Sequence, residues 1–269
     1  MSPRIILLLS LAFVTALRLS AADPSPIDRA GELVRAGEFV QAEDILEPMV
    51  KGRHADPKAL FYMSRVRLAQ KQYSEAIDFA ERAAKGDDTR PEFYVNLGEI
   101  CFAAIPSFDP LEGNSVAVKM RKSYERALKL DPRNSAALTG LITFYEHAPE
   151  VVGGDVRKAF DYARRLAEVN PYAGEFQLGR LSAGAKDYKN ALIHYDAAVK
   201  LQPEDMATAT ACGYSLYYLG RKSEARERFE AVLRAHPDFA PAKLGLDQIA
   251  ADEAEQAKKD AGKKNAGKP

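Results

Sequence analysis

Apolar residues return along this chain at helical spacing, in segments that come two by two. Ala225, Phe229 and Val232 stand at i, i+4 and i+7, which gathers them on one face of a helix. The segment before them, TACGYSLYYLG, also has a helical pattern and ends at Gly220, where a left-handed residue can stop a helix at low cost. The second segment recurs as YSEAIDFAERAAK, MRKSYERALKLDP, KAFDYARRLAEVNP, NALIHYDAAVKLQP and EARERFEAVLRAHP. Its leading residue falls at Ala42, Ala76, Met120, Ala159, Ala191 and Ala225, in steps of 34, 44, 39, 32 and 34 residues. A second column, Ala30, Ser64, Gly98, Ile142, Gly179 and Gly213, runs beside it. Mostly small residues in both columns let two helices approach closely, and Pro132, Pro171, Pro203 and Pro237 keep the second helix from continuing. A single helix cannot bury such a stripe, so each unit is expected to be an antiparallel helix pair stacked on its neighbours.

The period and the residues at its fixed positions resemble the tetratricopeptide repeat family, whose pattern sets W-x2-L-G-x2-Y before A-x3-F and P. The matches are Tyr94, Leu97, Gly98 and Cys101 with Tyr124, Ala127, Leu128 and Pro132 in the third unit; Leu178, Gly179, Ala191, Tyr195, Ala198 and Pro203 in the fifth; and Gly213, Gly220, Ala225, Phe229 and Pro237 in the sixth. The chain has no tryptophan, and its first unit matches least well. The resemblance implies an all-α fold, a right-handed α-solenoid of about six helix pairs over residues 23–239. After Pro237 another first-helix pattern begins with Leu244 and Leu246 and then turns polar, so residues 240–256 are expected to form a capping helix over the last apolar face. Residues 257–269, with five lysines and no bulky apolar residue, are expected to be a disordered tail.

The two long steps place ten extra residues near AAIPSFDPLEGN and five inside HAPEVVGGDV, both between the first and second helix of a unit. Equivalent turns of stacked units emerge on one edge, so the two enlarged turns are expected to be neighbours that present Phe108, Asp109, Leu111, Glu112, His147, Glu150, Val151 and Asp155 together. Gly153 and Gly154 followed by Asp155 suggest a phosphate loop, but Lys158 is followed by Ala159 rather than Ser or Thr, and a carboxylate at a helix mouth repels an anion. A turn with Asp155 as a helix cap is the better reading.

The rest of the chemistry is sparse. His54, His147, His194 and His236 form no H-E-x-x-H pair, and there is no nucleophile elbow, dinucleotide fingerprint or cysteine cluster, so no catalytic residue, metal or cofactor is assigned. Cys101 and Cys212 fall in the first helices of units three and six, too far apart along the stack for a disulfide, and are expected to be buried free thiols.

The N-terminus reads as a cleavable leader: Arg4, an apolar run from Ile5 to Leu17, then Ser20-Ala21-Ala22, with cleavage after Ala22. Export to the periplasm or beyond follows as an expectation, and no later segment is long enough to be an integral membrane span. Without residues 1–22 the chain has 36 basic and 38 acidic residues, a balance with no general pull toward nucleic acid.

In the resembled family the first helices line the inner wall. Here one row of that wall is Gly31, Arg65, Glu99, Thr143, Arg180 and Tyr214, with Phe61, Asn96, Phe176 and Tyr217 beside it. Phe61, Arg65, Asn96, Glu99, Phe176, Arg180, Tyr214 and Tyr217 are therefore the candidate contacts for a protein or peptide partner. The functional expectation is a non-catalytic scaffold of an envelope complex. An envelope enzyme, or a subunit regulating one, with a site at the enlarged turns is the alternative, and a self-associating array is a third reading.

Overall fold

The computed structural model describes residues 24–266, Arg53 excepted; the expected leader lies outside the described residues. Six helix pairs follow one another: α1 (Pro26–Ala36) with α2 (Phe39–Leu46), α3 (Pro57–Ala69) with α4 (Tyr73–Gly86), α5 (Pro91–Ala104) with α6 (Pro110–Leu130), α7 (Ser135–His147) with α8 (Val156–Val169), α9 (Pro171–Gly184) with α10 (Tyr188–Leu201), and α11 (Met206–Tyr218) with α12 (Lys222–Ala235). A long helix, α13 (Ala240–Ala266), ends the array. Among the described residues there is no strand. Consecutive helices pack on each other, and first helices also touch across units, α1 on α3, α3 on α5, α5 on α7 and α11 on α13.

Local chemistry sets the helix boundaries. Pro26, Pro57, Pro91, Pro110 and Pro171 sit at helix starts, where a missing N–H costs nothing. Ser25, Asp56, Asp109, Asn134, Asp155, Asn170, Asp187 and Asp205 accept hydrogen bonds from the free N–H groups of the first turn. The reversal inside four pairs uses one left-handed residue at the same repeat position: Gly37, Lys71, Lys186 and Gly220. Two of the four are lysines, which take that conformation at some cost.

The repeating columns are the core. Ala42, Ala76, Ala159, Ala191 and Ala225 are fully buried and Met120 nearly so. Four residues further on, an aromatic ring fills the space left by a glycine: Tyr124 lies against Gly98, Tyr195 against Gly179 and Phe229 against Gly213. A Cβ added at any of these glycines would come within 2.7 Å of the ring. Two of the rings also meet a glycine of the next unit, Gly140 for Tyr124 and Gly245 for Phe229. In the fourth pair the volumes are exchanged: Ile142 occupies the glycine column, Ala163 the aromatic one, and both are fully buried in one cluster. The buried apolar residues form three clusters along the array, over α1–α5, α4–α9 and α10–α13.

Cys101 and Cys212 are free and buried, in different clusters, and burial pushes both thiols up to about 12. The last helix differs from expectation. It caps the array, burying Ala242 and Ile249, but continues through 257–266, where a disordered tail was expected. Residues 253–260 are Ala, Glu, Gln, Lys and Asp, mostly good helix formers, which sustain the helix although their side chains are exposed.

Candidate binding surfaces on the inner wall and at the enlarged turns

The inner row carries one small motif twice, an aromatic residue and an arginine one turn apart: Phe61 with Arg65 on α3, and Phe176 with Arg180 on α9. Both arginines are held in place. The Arg65 guanidinium donates to Asn96 Oδ1 at 3.2 Å, lies 3.6 Å from Glu99 Oε2 and sits 6.0 Å from the centre of the Phe61 ring. Arg180 donates to both carboxylate oxygens of Glu146, at 2.7 and 2.5 Å, and to Gln177. Phe61 stacks on Phe93, and Phe176 lies between Tyr172 and Tyr195. Arg65 and Glu99 keep two-fifths to half of their side-chain surface exposed, enough to meet a partner.

Three expected contacts are placed differently. Asn96 is 2% exposed; its amide donates to Ser64 Oγ at 2.8 Å, so it braces α3 against α5 and orients Arg65 rather than facing outward. Tyr214 and Tyr217 face α13. The Tyr214 hydroxyl donates to the Pro241 carbonyl, and Tyr217 donates to Asp252 Oδ2, both at 2.9 Å. Lys222 reaches the same carboxylate at 2.8 Å, and its hydrogen bond, with that from Tyr217, holds Asp252 below the usual carboxylate range. A helix that continues the repeat pattern takes the next first-helix position, which covers these two rings.

The enlarged turns do come together. After α5 a 3-10 turn (Ile105–Ser107) leads to Asp109, which caps α6 by accepting from the N–H groups of Leu111 and Glu112. Most of the ten extra residues are thus helix, not loop, because Asp109 and Pro110 start α6 early; it has 21 residues where α4, α8, α10 and α12 each have 14. After α7 the chain makes a second 3-10 turn (Glu150–Val152) and passes through left-handed Gly153, and Asp155 then caps α8 through the Arg157 N–H, as expected of a turn.

Between the two turns lies an apolar cavity of about 530 Å³, walled by residues that include Phe102, Ile105, Phe108, Met120, Phe144 and Pro149. Of the residues expected there, Phe108, Asp109 and His147 line it. Leu111 and Glu112 stand on the other side of Phe108, and Glu150 and Asp155 border a separate hollow. Phe102, Ile105, Met120 and Phe144 were missed, although ICFAAIPSF is more apolar than an exposed turn requires. The His147 Nδ1–H donates to the Thr143 carbonyl at 3.0 Å. Among the described residues no three His, Cys, Asp or Glu side chains gather as a metal site.

The tetratricopeptide repeat family model matches residues 27–91 and 211–258. Over 260 residues, 90% of this chain, the sequence is 25% identical to the cellulose synthase operon protein C of Xanthomonas axonopodis pv. citri (strain 306), of which it covers 16%. The chain spans less than a fifth of the length of the curated relatives it matches. Among solved structures it is similar to pilF of Pseudomonas aeruginosa, with a TM-score of 0.61 at 13% identity over 83% of this chain and 96% of that one. It is also similar to YrrB, described as a TPR protein with an unusual peptide-binding site, with a TM-score of 0.51 at 17% identity over 78% of this chain and 97% of that one. Residues 27–91 and 211–258 thus match tetratricopeptide repeats, and the stacked helix pairs share the α-solenoid fold of the solved repeat structures. No helix among the described residues is long and apolar enough to cross a membrane.

Proposed function

We propose that the protein is an exported, non-catalytic scaffold whose inner wall grips a segment of another protein and helps to assemble or hold an envelope complex. The observation that carries this reading is the doubled aromatic and arginine motif, Phe61 with Arg65 and Phe176 with Arg180, each arginine already fixed by a carboxylate. Aromatic and arginine side chains dominate binding energy at interfaces, and side chains ordered beforehand lose less entropy when a partner arrives. Export is supported by Arg4, the apolar run to Leu17 and the small residues to Ala22. An envelope role is compatible with the similarity to the cellulose synthase operon protein.

The test is photo-crosslinking in an envelope extract from a probe placed at Phe61 or Phe176, comparing wild type with Arg65→Glu/Arg180→Glu and with Arg164→Glu, whose exposed arginine lies on α8. The partner set is expected to be lost from the double variant and kept by the control. Identical capture by all three proteins refutes the inner wall as the site. N-terminal sequencing of the mature protein is expected to begin after Ala22; recovery of intact Met1 in the cytosolic fraction refutes export.

A further inference from the structure

The junctions between units are not alike. First helices pack directly on each other from α1 to α7, and α11 meets α13, but among the described residues that packing thins out at α9. The buried core changes over at the same place: the middle cluster ends with Leu178 and Leu181 on α9, and the next begins with Ala191 and Leu192 on α10. Tyr124 and Phe229 each key into a glycine of the following unit, Gly140 and Gly245. At the equivalent position after Tyr195 the chain has Ala211 instead.

What ties α9 to its neighbours on the inner side is polar. All three guanidinium nitrogens of Arg180 are engaged: Nη1 and Nη2 donate to Glu146 on α7 at 2.7 and 2.5 Å, and Nε donates to Gln177 at 2.8 Å. The side chains of Arg180 and Glu146 are 32 and 18% exposed, so salt screens the pair less than it would a surface pair. Toward the next unit, the Tyr172 hydroxyl donates to Asp205, the cap of α11, at 2.5 Å. The start of α9 is held differently. Asn170 alone separates it from α8, and a Cβ added at Gly174 would come within 2.2 Å of the Ala167 backbone, so the two helices touch there.

We propose that the array hinges at α9, with the Gly174 contact as fulcrum and the Arg180–Glu146 pair as the latch that holds the inner wall at its observed curvature. Arg180 lies about 9 Å beyond Gly174 along the helix, so a rotation about the close contact opens the latch and leaves the seat on α8 in place. A bidentate pair fixes orientation as well as distance, which suits it to set the angle between α7 and α9. Competing charge releases it: a carboxylate offered to Arg180, or a cation offered to Glu146. The α7–α9 junction lies between the two aromatic and arginine motifs, so the latch sets the span from Phe61 to Phe176; the hinge itself stands whether or not the inner wall holds a protein segment.

Pulsed electron paramagnetic resonance on the full chain tests this. Spin labels at Lys85→Cys in α4 and Glu230→Cys in α12, both exposed, straddle α9, while labels at Lys85→Cys and Lys129→Cys in α6 lie on one side of it. Cys101 and Cys212 are buried, which leaves the new cysteines to take the label. In Glu146→Gln, which keeps shape and removes charge, and in Arg180→Met, the α4–α12 distance is expected to shift and its distribution to broaden about twofold as a second population joins the first. The α4–α6 distance is expected to stay as in wild type, and Arg164→Ala, which breaks an exposed pair within α8, is expected to leave both distances alone. An α4–α12 distribution unchanged in either latch variant overturns the latch. Equal broadening of the α4–α6 distance overturns α9 as the hinge, and the same shift in Arg164→Ala overturns the assignment to Arg180 and Glu146.

Discussion

Single residues in this array act through shape. Replacing glycine by alanine inside a helix ordinarily adds up to about 1 kcal/mol of stability. At Gly140 the new methyl would lie 2.3 Å from the Tyr124 ring, so Gly140→Ala is expected to destabilise by roughly 1–3 kcal/mol in urea melts. Gly184→Ala, with open space around it, is expected to stabilise. Lys71→Gly and Lys186→Gly release left-handed lysines and are expected to add roughly 0.5–1 kcal/mol each. Asp205 carries a pH signature. Burial alone would raise its pKa, but hydrogen bonds from Thr208, Tyr172 and two backbone N–H groups outweigh burial and hold it low. Its stabilisation is therefore present near neutral pH and lost as pH falls through the depressed value. The gap in stability between wild type and Asp205→Asn is expected to close below about pH 4, which melts across a pH series would show.

At the level of elements, the last helix divides in two. Its proximal part buries Ala242 and Ile249, covers Phe229 through Gly245 and reaches Tyr217 through Asp252; beyond Asp252 the side chains through Asp260 are exposed. A chain stopped after Gln256 is expected to melt as wild type does. One stopped after Phe239 uncovers Phe229 and removes Ile249, a loss of roughly 3–6 kcal/mol. The helix pairs were legible in the sequence because every unit repeats the same small columns, proline signals and cap residues. The start of α6 was not, since ten inserted residues look like a loop until Asp109-Pro110 is read as a cap and first turn. Tyr214 and Tyr217 were placed on an open wall because the pattern of the final helix shows that it caps, not which side chains it meets. Asn96 was misplaced for a related reason: its bond to Ser64 comes from the neighbouring unit, and register alone does not reveal it.

Across the whole molecule the core is strung out rather than central, so stability is local. Cys101 and Cys212 lie in different buried clusters, and their raised thiol pKa values make them inert while those clusters hold. Thiol labelling along a urea gradient, read by peptide mass, is expected to give two separate midpoints; a single shared midpoint would mean the array unfolds as one unit. The added length of α6 has a consequence for the symmetry of the array. Seven residues more than its counterparts extend it by about 10 Å. A strictly periodic stack can be shifted by one unit onto itself, so no unit on its edge differs from the next. The longer α6 breaks that equivalence and gives the edge of the array a single fixed landmark at the third pair.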